Sequence, residues 1–213
     1  MHWYQYMALG CLVVCFAACL WHFFRLIHLG KPKDLSPKSG NIAKAEVYSY
    51  TMAMLPNEKE SAYLHIPTFT AGIFFHIGTF ISLALFIFFF FADTELFRQW
   101  LALAILMLFM LFMLIFGALS GFILFLKRIF SKKLRALSTL DDFLSNFLTT
   151  LFQLFTGFYL IFGDLFAVYY YVSASILLLY MPIGKLRHVV YFFAARYQLG
   201  FFYGWRNSWP PKK

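Results

Sequence analysis

Charged residues are scarce in this sequence. Asp, Glu, Lys and Arg together make up 13% of its 213 residues, whereas hydrophobic residues make up 62%. A soluble chain of this length needs a largely charged and polar surface, and apolar runs this long are typical of membrane-spanning helices. The composition therefore excludes a soluble globular protein and indicates a polytopic membrane protein.

Five hydrophobic segments reach the length that crosses a bilayer. They cover residues 7–29, 68–91, 100–126, 142–162 and 165–187. The sequence thus predicts an all-α membrane protein in which a five-transmembrane-helix bundle forms one domain over residues 1–213, with a loop at 30–67 and a tail at 191–213. The first segment lacks the basic start and the small-residue cleavage site of a signal peptide, so we interpret it as a helix of the bundle.

Acidic residues are also few, and the basic residues are unevenly placed. There are nine Asp and Glu against 18 Lys and Arg, and Arg98 is the one basic residue outside three alternate regions of the chain. Since loops rich in Lys and Arg stay in the cytoplasm, we expect the N-terminus outside and the C-terminus inside a cell inner (cytoplasmic) membrane. Positive charge beside membrane spans requires no nucleic acid, and none is predicted as a partner.

Cysteine is rare and confined to one segment. Cys11, Cys15 and Cys19 form one stripe on the first predicted helix, and no other cysteine exists to complete an iron–sulfur or zinc site. Small residues at a helix–helix seam explain the stripe. No predicted span carries a charged residue at its middle, which argues against a transporter or an ion pathway.

Histidine is the residue type that remains for chemistry inside the membrane. His76 lies about 12 Å inside the cytoplasmic end of the second predicted helix, and His188 lies at the cytoplasmic end of the fifth. Two imidazoles at similar depth on different helices can ligate one haem iron from opposite sides. The alternative for His76 is a hydrogen-bonded polar group. His22, His28 and His65 lie at the membrane edge or in the loop, where ligation is less favoured.

Four further residues are predicted to contact the cofactor. Gly117 and Gly121 give the third predicted helix a flat face that admits either a close helix neighbour or a porphyrin ring. Arg128 and Arg187 lie at the membrane edge, where each can pair with a haem propionate or act as an ordinary cytoplasmic anchor.

Several motifs resemble one known family. They are residues 75–78 (FHIG), 117–121 (GALSG), 126–131 (LKRIFS), 135–142 (RALSTLDD), 182–188 (PIGKLRH) and 196–199 (RYQL). In this order they resemble the gamma (cytochrome b) subunit of respiratory nitrate reductase over the second to fifth helices. Residues 30–35 and 50–61 of the first loop are more similar to relatives that accompany heterodisulfide-reductase-like iron–sulfur subunits.

The resemblance implies a function and a haem count. It implies that His76 and His188 hold haem b and that the subunit transfers electrons between a membrane quinone and a cytoplasmic iron–sulfur subunit. Two-haem members of the family have two further histidines, at the positions of Phe86 and Tyr170 here. The resemblance therefore implies one haem near the cytoplasm and none near the outer face. The short link between the fourth and fifth helices departs from the family and puts its outer quinone pocket in doubt.

A haem-free membrane anchor that recruits a peripheral enzyme is the alternative function. The loop and the tail alternate aromatic and Met side chains with polar ones, which favours an interfacial segment that docks a peripheral subunit. A disordered tether is the alternative for the loop.

Overall fold

A computed structural model describes residues 1–28, 35–55, 64–91 and 104–211. Within these residues the protein is helical and contains no strand. Its α-helices are α1 (Trp3–His28), α2 (Ile42–Tyr50), α3 (Ile66–Phe91), α4 (Ala104–Phe130), α5 (Lys132–Ala136), α6 (Leu140–Phe162), α7 (Ala167–Tyr180) and α8 (His188–Trp205). The predicted boundaries at residues 29–30 and 100, and Arg98, lie outside the described residues.

Four stretches of the described chain are long and apolar enough to cross a membrane. They are Trp3–Leu26, Ile66–Phe90, Ile105–Phe130 and Leu140–Tyr180. Each contains the run of about 20 apolar residues that a bilayer core requires. Over its described residues the protein is therefore all-helical with four candidate membrane spans, and its apolar helices fit a lipid bilayer.

The last of these stretches is a helical hairpin. α6 ends at Phe162, and Gly163 adopts a positive φ of 59° that L side chains rarely adopt. A 3-10 turn at Gly163–Phe166 then leads into α7. The Tyr180 hydroxyl at the end of α7 donates to the Asp141 carbonyl at the start of α6, at 3.2 Å, so the two helices run antiparallel.

α7 is shorter than the sequence predicts. The predicted helix covers residues 165–187, whereas α7 covers Ala167–Tyr180, a length of about 21 Å. Pro182 has no backbone N–H to continue the helix, and the N–H of Gly184 closes a turn on the Tyr180 carbonyl at 2.8 Å. The prediction that His188 ends the fifth helix is therefore wrong: His188 begins α8.

Within the described residues, the predicted loop and the predicted tail each contain an α-helix. α2 lies within residues 30–67, and α8 covers most of residues 191–213. Asn41 begins α2 by accepting a hydrogen bond from the Lys44 backbone at 3.1 Å. α8 packs along α2, because Gly200 and Gly204 let the α2 backbone approach at Glu46 and Ile42.

The chain forms two compact units. The first contains Met1–Cys15 and Pro67–Lys185, and the second contains Phe16–Ile66 and Leu186–Lys213. The core of the first unit includes buried aromatic residues on α3, α6 and α7, among them Phe86, Phe152 and Tyr170. In the second unit α2 and α8 pack together, and α1 contributes the residues after Cys15.

Candidate functional site

His76 lies on the exposed side of α3. Gly78, Ser82 and Phe86, on the other side of the same helix, are buried. The His76 Nδ1 atom lies 2.7 Å from the Gly72 carbonyl oxygen, and since a carbonyl oxygen only accepts, Nδ1 carries the proton. In the neutral imidazole with this tautomer, the lone pair is on Nε2. Metal-binding histidines typically use their other ring N–H in this way, so His76 fits the role of an axial haem ligand.

His188 is the first residue of α8 and is exposed. It follows a 3-10 turn at Lys185–Arg187, and the Arg187 guanidinium lies 5.8 Å from the centre of the Tyr191 ring. His76 belongs to the first unit and His188 to the second. Ligation of one iron by both residues stays a prediction.

The other histidines have different surroundings. The His22 ring meets the Tyr191 ring edge-on, with centroids 6.4 Å apart. His65 is exposed just before α3, and the side chain of His28 lies outside the described residues. Across the described part of the chain, no three His, Cys, Asp or Glu side chains are grouped to hold a metal ion. A haem needs at most two axial protein ligands, so this finding does not bear on His76 and His188.

Gly117 and Gly121 are helix-packing positions in the structure. A Cβ atom at Gly117 would lie 3.0 Å from the Gly78 Cα of α3 and 2.5 Å from the Gln153 Oε1 of α6. At Gly121, a Cβ would overlap the Thr150 hydroxyl and lie 2.7 Å from the Phe75 ring. The structure thus gives both glycines the close helix neighbour that the sequence left open, and porphyrin contact stays a prediction.

Gln153 is a buried polar residue that the sequence analysis missed. Its Nε2 atom donates to the Phe75 carbonyl at 3.0 Å and to the Thr79 hydroxyl at 2.7 Å. Its Oε1 atom has no hydrogen-bond partner within the described residues. A primary amide in an apolar segment costs free energy unless it is bonded, and that isolated amide was the signal available in the sequence.

Gln153 belongs to a polar stripe on α6. The members recur every three or four residues and are all buried: Asp142, Ser145, Thr149, Gln153 and Thr156. The three hydroxyls donate to the carbonyls four residues earlier, each at 2.7 Å. These hydroxyl donors are therefore satisfied within α6 itself.

Asp142 is the centre of an ion-pair cluster, which the sequence analysis also missed. Its carboxylate is 6% exposed and lies 2.9 Å from an Arg128 guanidinium nitrogen, and the Lys185 ammonium also binds it. Asp142 additionally accepts from the Thr139 backbone N–H at 3.0 Å, which caps α6. Arg128, predicted to pair with a propionate, thus has a carboxylate partner on the protein, and the propionate contact stays a prediction.

Phe86 and Tyr170 lie side by side in the first unit. Their ring centroids are 6.1 Å apart, and both side chains are buried. Tyr159 stacks on Tyr170 at 4.7 Å, and Phe152 contacts both Phe86 and Tyr170 at about 6 Å. The two positions at which the resemblance expects outer haem ligands therefore form one packed aromatic cluster.

No protein-family model, curated protein or solved structure matches the chain. The resemblance to the nitrate-reductase gamma subunit therefore stays a prediction from the motifs alone, and the function is argued from the residues of the site.

Proposed function

We propose that the protein is a membrane cytochrome b subunit that transfers electrons between the quinone pool and a cytoplasmic iron–sulfur subunit of a respiratory redox complex. One haem b is its cofactor, and its bundle has five spans, with the N-terminus outside and the C-terminus in the cytoplasm of the inner membrane. The observation that carries the proposal is His76, an exposed histidine inside a candidate span with Nδ1 bound to Gly72.

The energetic argument concerns the second ring nitrogen of His76. α3 is apolar throughout Ile66–Phe90, and about ten residues, or roughly 15 Å, separate His76 from the start of that span. An imidazole at this depth is costly unless it is bonded or ligated. Because Gly72 occupies Nδ1, ligation through Nε2 is a direct way to offset the remaining cost.

The residues around the proposed haem have defined tasks. His188 would hold the haem iron together with His76, and Arg187 and Arg128 would pair with the haem propionates. Haem, when bound, supplies reversible one-electron transfer. Gly117 and Gly121 let α3 and α6 close on α4, which fixes Phe75 beside His76 and holds the His76 backbone in place.

The aromatic cluster at Phe86 and Tyr170 supports a single haem. Phe86 has no atom that binds iron, and the rings of Phe152 and Tyr159 pack directly against Tyr170 and leave no room for a porphyrin on that ring. We therefore place the cofactor near the cytoplasmic ends of the helices, where quinone chemistry exchanges its protons with the cytoplasm.

The proposed protein partner is a heterodisulfide-reductase-like iron–sulfur subunit. α2 leaves Lys44, Val47 and Tyr50 exposed, a mixed basic and apolar surface of the kind that protein interfaces use. The catalytic site for any terminal substrate lies in another subunit.

A haem-free anchor for a peripheral enzyme is the second candidate. The observation that favours it is the close packing at Gly117 and Gly121, which leaves no gap between α4 and its neighbours at these glycines.

The test is the absorbance spectrum and iron content of the purified full-length protein. We expect a low-spin haem b spectrum that is lost in His76→Ala and in His188→Ala, since a bis-histidine site cannot keep its spectrum with one ligand removed. His22→Ala is the matched control and should retain the spectrum. A purified, folded protein without iron would favour the anchor, and a normal spectrum in His188→Ala would refute the ligand assignment.

A further inference from the structure

One face of α8 is exposed along the whole helix. The exposed residues of this face recur at alternating spacings of four and three and continue to the residue just after the helix: His188, Phe192, Ala195, Leu199, Phe202 and Arg206. We call these six residues the α8 stripe. The far side of α8 packs on α2, where a Cβ at Gly200 would lie 2.6 Å from the Glu46 Cα. The stripe is therefore the face of α8 that α2 does not cover.

The middle of the α8 stripe is apolar. Phe192 and Leu199 are each 37% exposed, and Phe202 is 43% exposed. Apolar side chains of this size lose favourable burial when they face water, and a continuous row of them marks an interaction surface.

All charged side chains in the last part of the sequence, after Asp164, are basic. After Asp164 the sequence contains no Asp or Glu, but it contains six Lys and Arg. Two of the arginines lie against rings of the stripe: the Arg196 guanidinium is 5.5 Å from the Phe192 centroid, and that of Arg206 is 3.7 Å from the Phe202 centroid. Helices that lie in a membrane interface typically place aromatic rings against acyl chains. Neighbouring guanidinium groups then face the headgroup phosphates.

The start of α8 lies beside the second half of α1. Within the second unit, one apolar groove is lined by Val189, Val190 and Phe193 of α8 and by Phe16, Cys19, Leu20 and Phe23 of α1. These α1 residues belong to the candidate span Trp3–Leu26, so the first turns of α8 lie beside apolar residues suited to lipid.

We propose that the α8 stripe lies in the interfacial layer of an anionic lipid bilayer. Phe192, Leu199 and Phe202 contact acyl chains, and Arg196 and Arg206 bind headgroup phosphates. Glu46 lies on the opposite side, at Gly200, so it does not repel an anionic surface. This proposal does not depend on the haem, and it leaves the exposed residues of α2 for the iron–sulfur partner.

The experiment uses the full-length protein in nanodiscs, with Cys11, Cys15 and Cys19 replaced by alanine. A spin label is attached to Ala195→Cys in the stripe or to Ala194→Cys beside it, which is a matched pair of neighbouring alanines. Collision rates are measured with oxygen, which concentrates in lipid, and with a water-soluble nickel chelate. Each label is measured in phosphatidylcholine alone and with phosphatidylglycerol added.

We expect the ratio of oxygen to nickel collisions at position 195 to be several-fold higher than at position 194. The ratio should rise when phosphatidylglycerol is added, and Arg196→Gln with Arg206→Gln should remove that rise. Low collision rates with both reagents at position 195 would mean that a protein segment covers the α8 stripe. A high collision rate with the nickel chelate would mean that the stripe is exposed to water. Either result overturns the proposal, and a ratio insensitive to phosphatidylglycerol overturns its charge specificity.

Discussion

Asp142 shows how a single carboxylate joins three segments of the first unit. Its Oδ1 atom accepts from Arg128 on α4 and from Lys185 after α7, while its other oxygen accepts from Thr139 at the start of α6. Removing one partner of a mostly buried ion pair leaves charges without compensation. The side chains of Arg128 and Lys185 are 32% and 57% exposed, so water offsets part of this loss.

We therefore expect Asp142→Asn to lower the free energy of unfolding by about 2 kcal/mol. The measurement is thermal unfolding of the purified protein in detergent, and the loss should shrink as salt screens the cluster. Asp164→Asn, at an exposed turn position, removes the same charge without this cluster and serves as the control. Equal melting temperatures for the two variants would contradict a stabilising role of the ion-pair cluster.

At the scale of helices, the α3–α4 crossing depends on glycine. Gly117→Ala would place a methyl group 3.0 Å from the Gly78 Cα and 2.5 Å from the Gln153 Oε1 atom. We expect this variant to lose about 1–3 kcal/mol of stability, because a backbone contact cannot yield without moving a helix.

The matched control is Gly157→Ala on α6, where nothing lies within 4 Å of the added Cβ. It should be neutral or gain about 0.5–1 kcal/mol from helix propensity. Thermal unfolding and fluorescence-detected size exclusion compare the two. A Gly117→Ala protein as stable as Gly157→Ala would show that the two helices are not in contact there.

Features that depend on neighbouring residues can be predicted from the sequence, whereas contacts between distant residues cannot. The predicted spans 68–91 and 142–162 lie within two residues of α3 and α6, because apolar length is a local property. The sequence predicts that the fifth helix continues to residue 187, because the apolar composition continues past Tyr180. The helix ends earlier because Pro182 cannot donate the backbone hydrogen bond that a helix requires. The pairing of α2 with α8 joins residues about 150 positions apart, and no local pattern encodes it. The two cationic partners of Asp142 lie 14 and 43 positions away from it, on other elements, which is also beyond the reach of a helical pattern.

For the whole molecule, we expect one haem per chain. Phe86 and Tyr170 carry aromatic rings that contact each other, and the proposed ligands His76 and His188 account for one iron. A pyridine haemochrome assay on protein quantified by amino-acid analysis gives the ratio. A value near two would show that further ligands exist, and His22 and His28 would then be the first variants to test.

A single inner haem also predicts the energetics of turnover. In the proposed arrangement, the ten residues from His76 to Phe86 leave roughly 15 Å of helix with no haem. Quinone oxidation and reduction beside the inner haem should therefore take up and release protons on the cytoplasmic side and move little charge across the bilayer. The measurement is a potential-sensitive dye in sealed vesicles during turnover. A robust uncoupler-sensitive potential from this complex alone would contradict the inner-side arrangement.

The hydrogen bonds of α6 bear on how the chain enters the membrane during synthesis. Its buried Ser and Thr hydroxyls bond within the helix, so α6 brings few unmet polar groups of its own into lipid. Gln153 and Asp142 are the exceptions, since the Gln153 amide donates to Phe75 and Thr79 of α3 and the Asp142 carboxylate binds Arg128 and Lys185. Because the ribosome makes α3 before α6, the acceptors of the Gln153 amide are synthesised before the glutamine. Lys185 follows α6 in the chain, so one of the two cationic partners of Asp142 is synthesised only after the carboxylate.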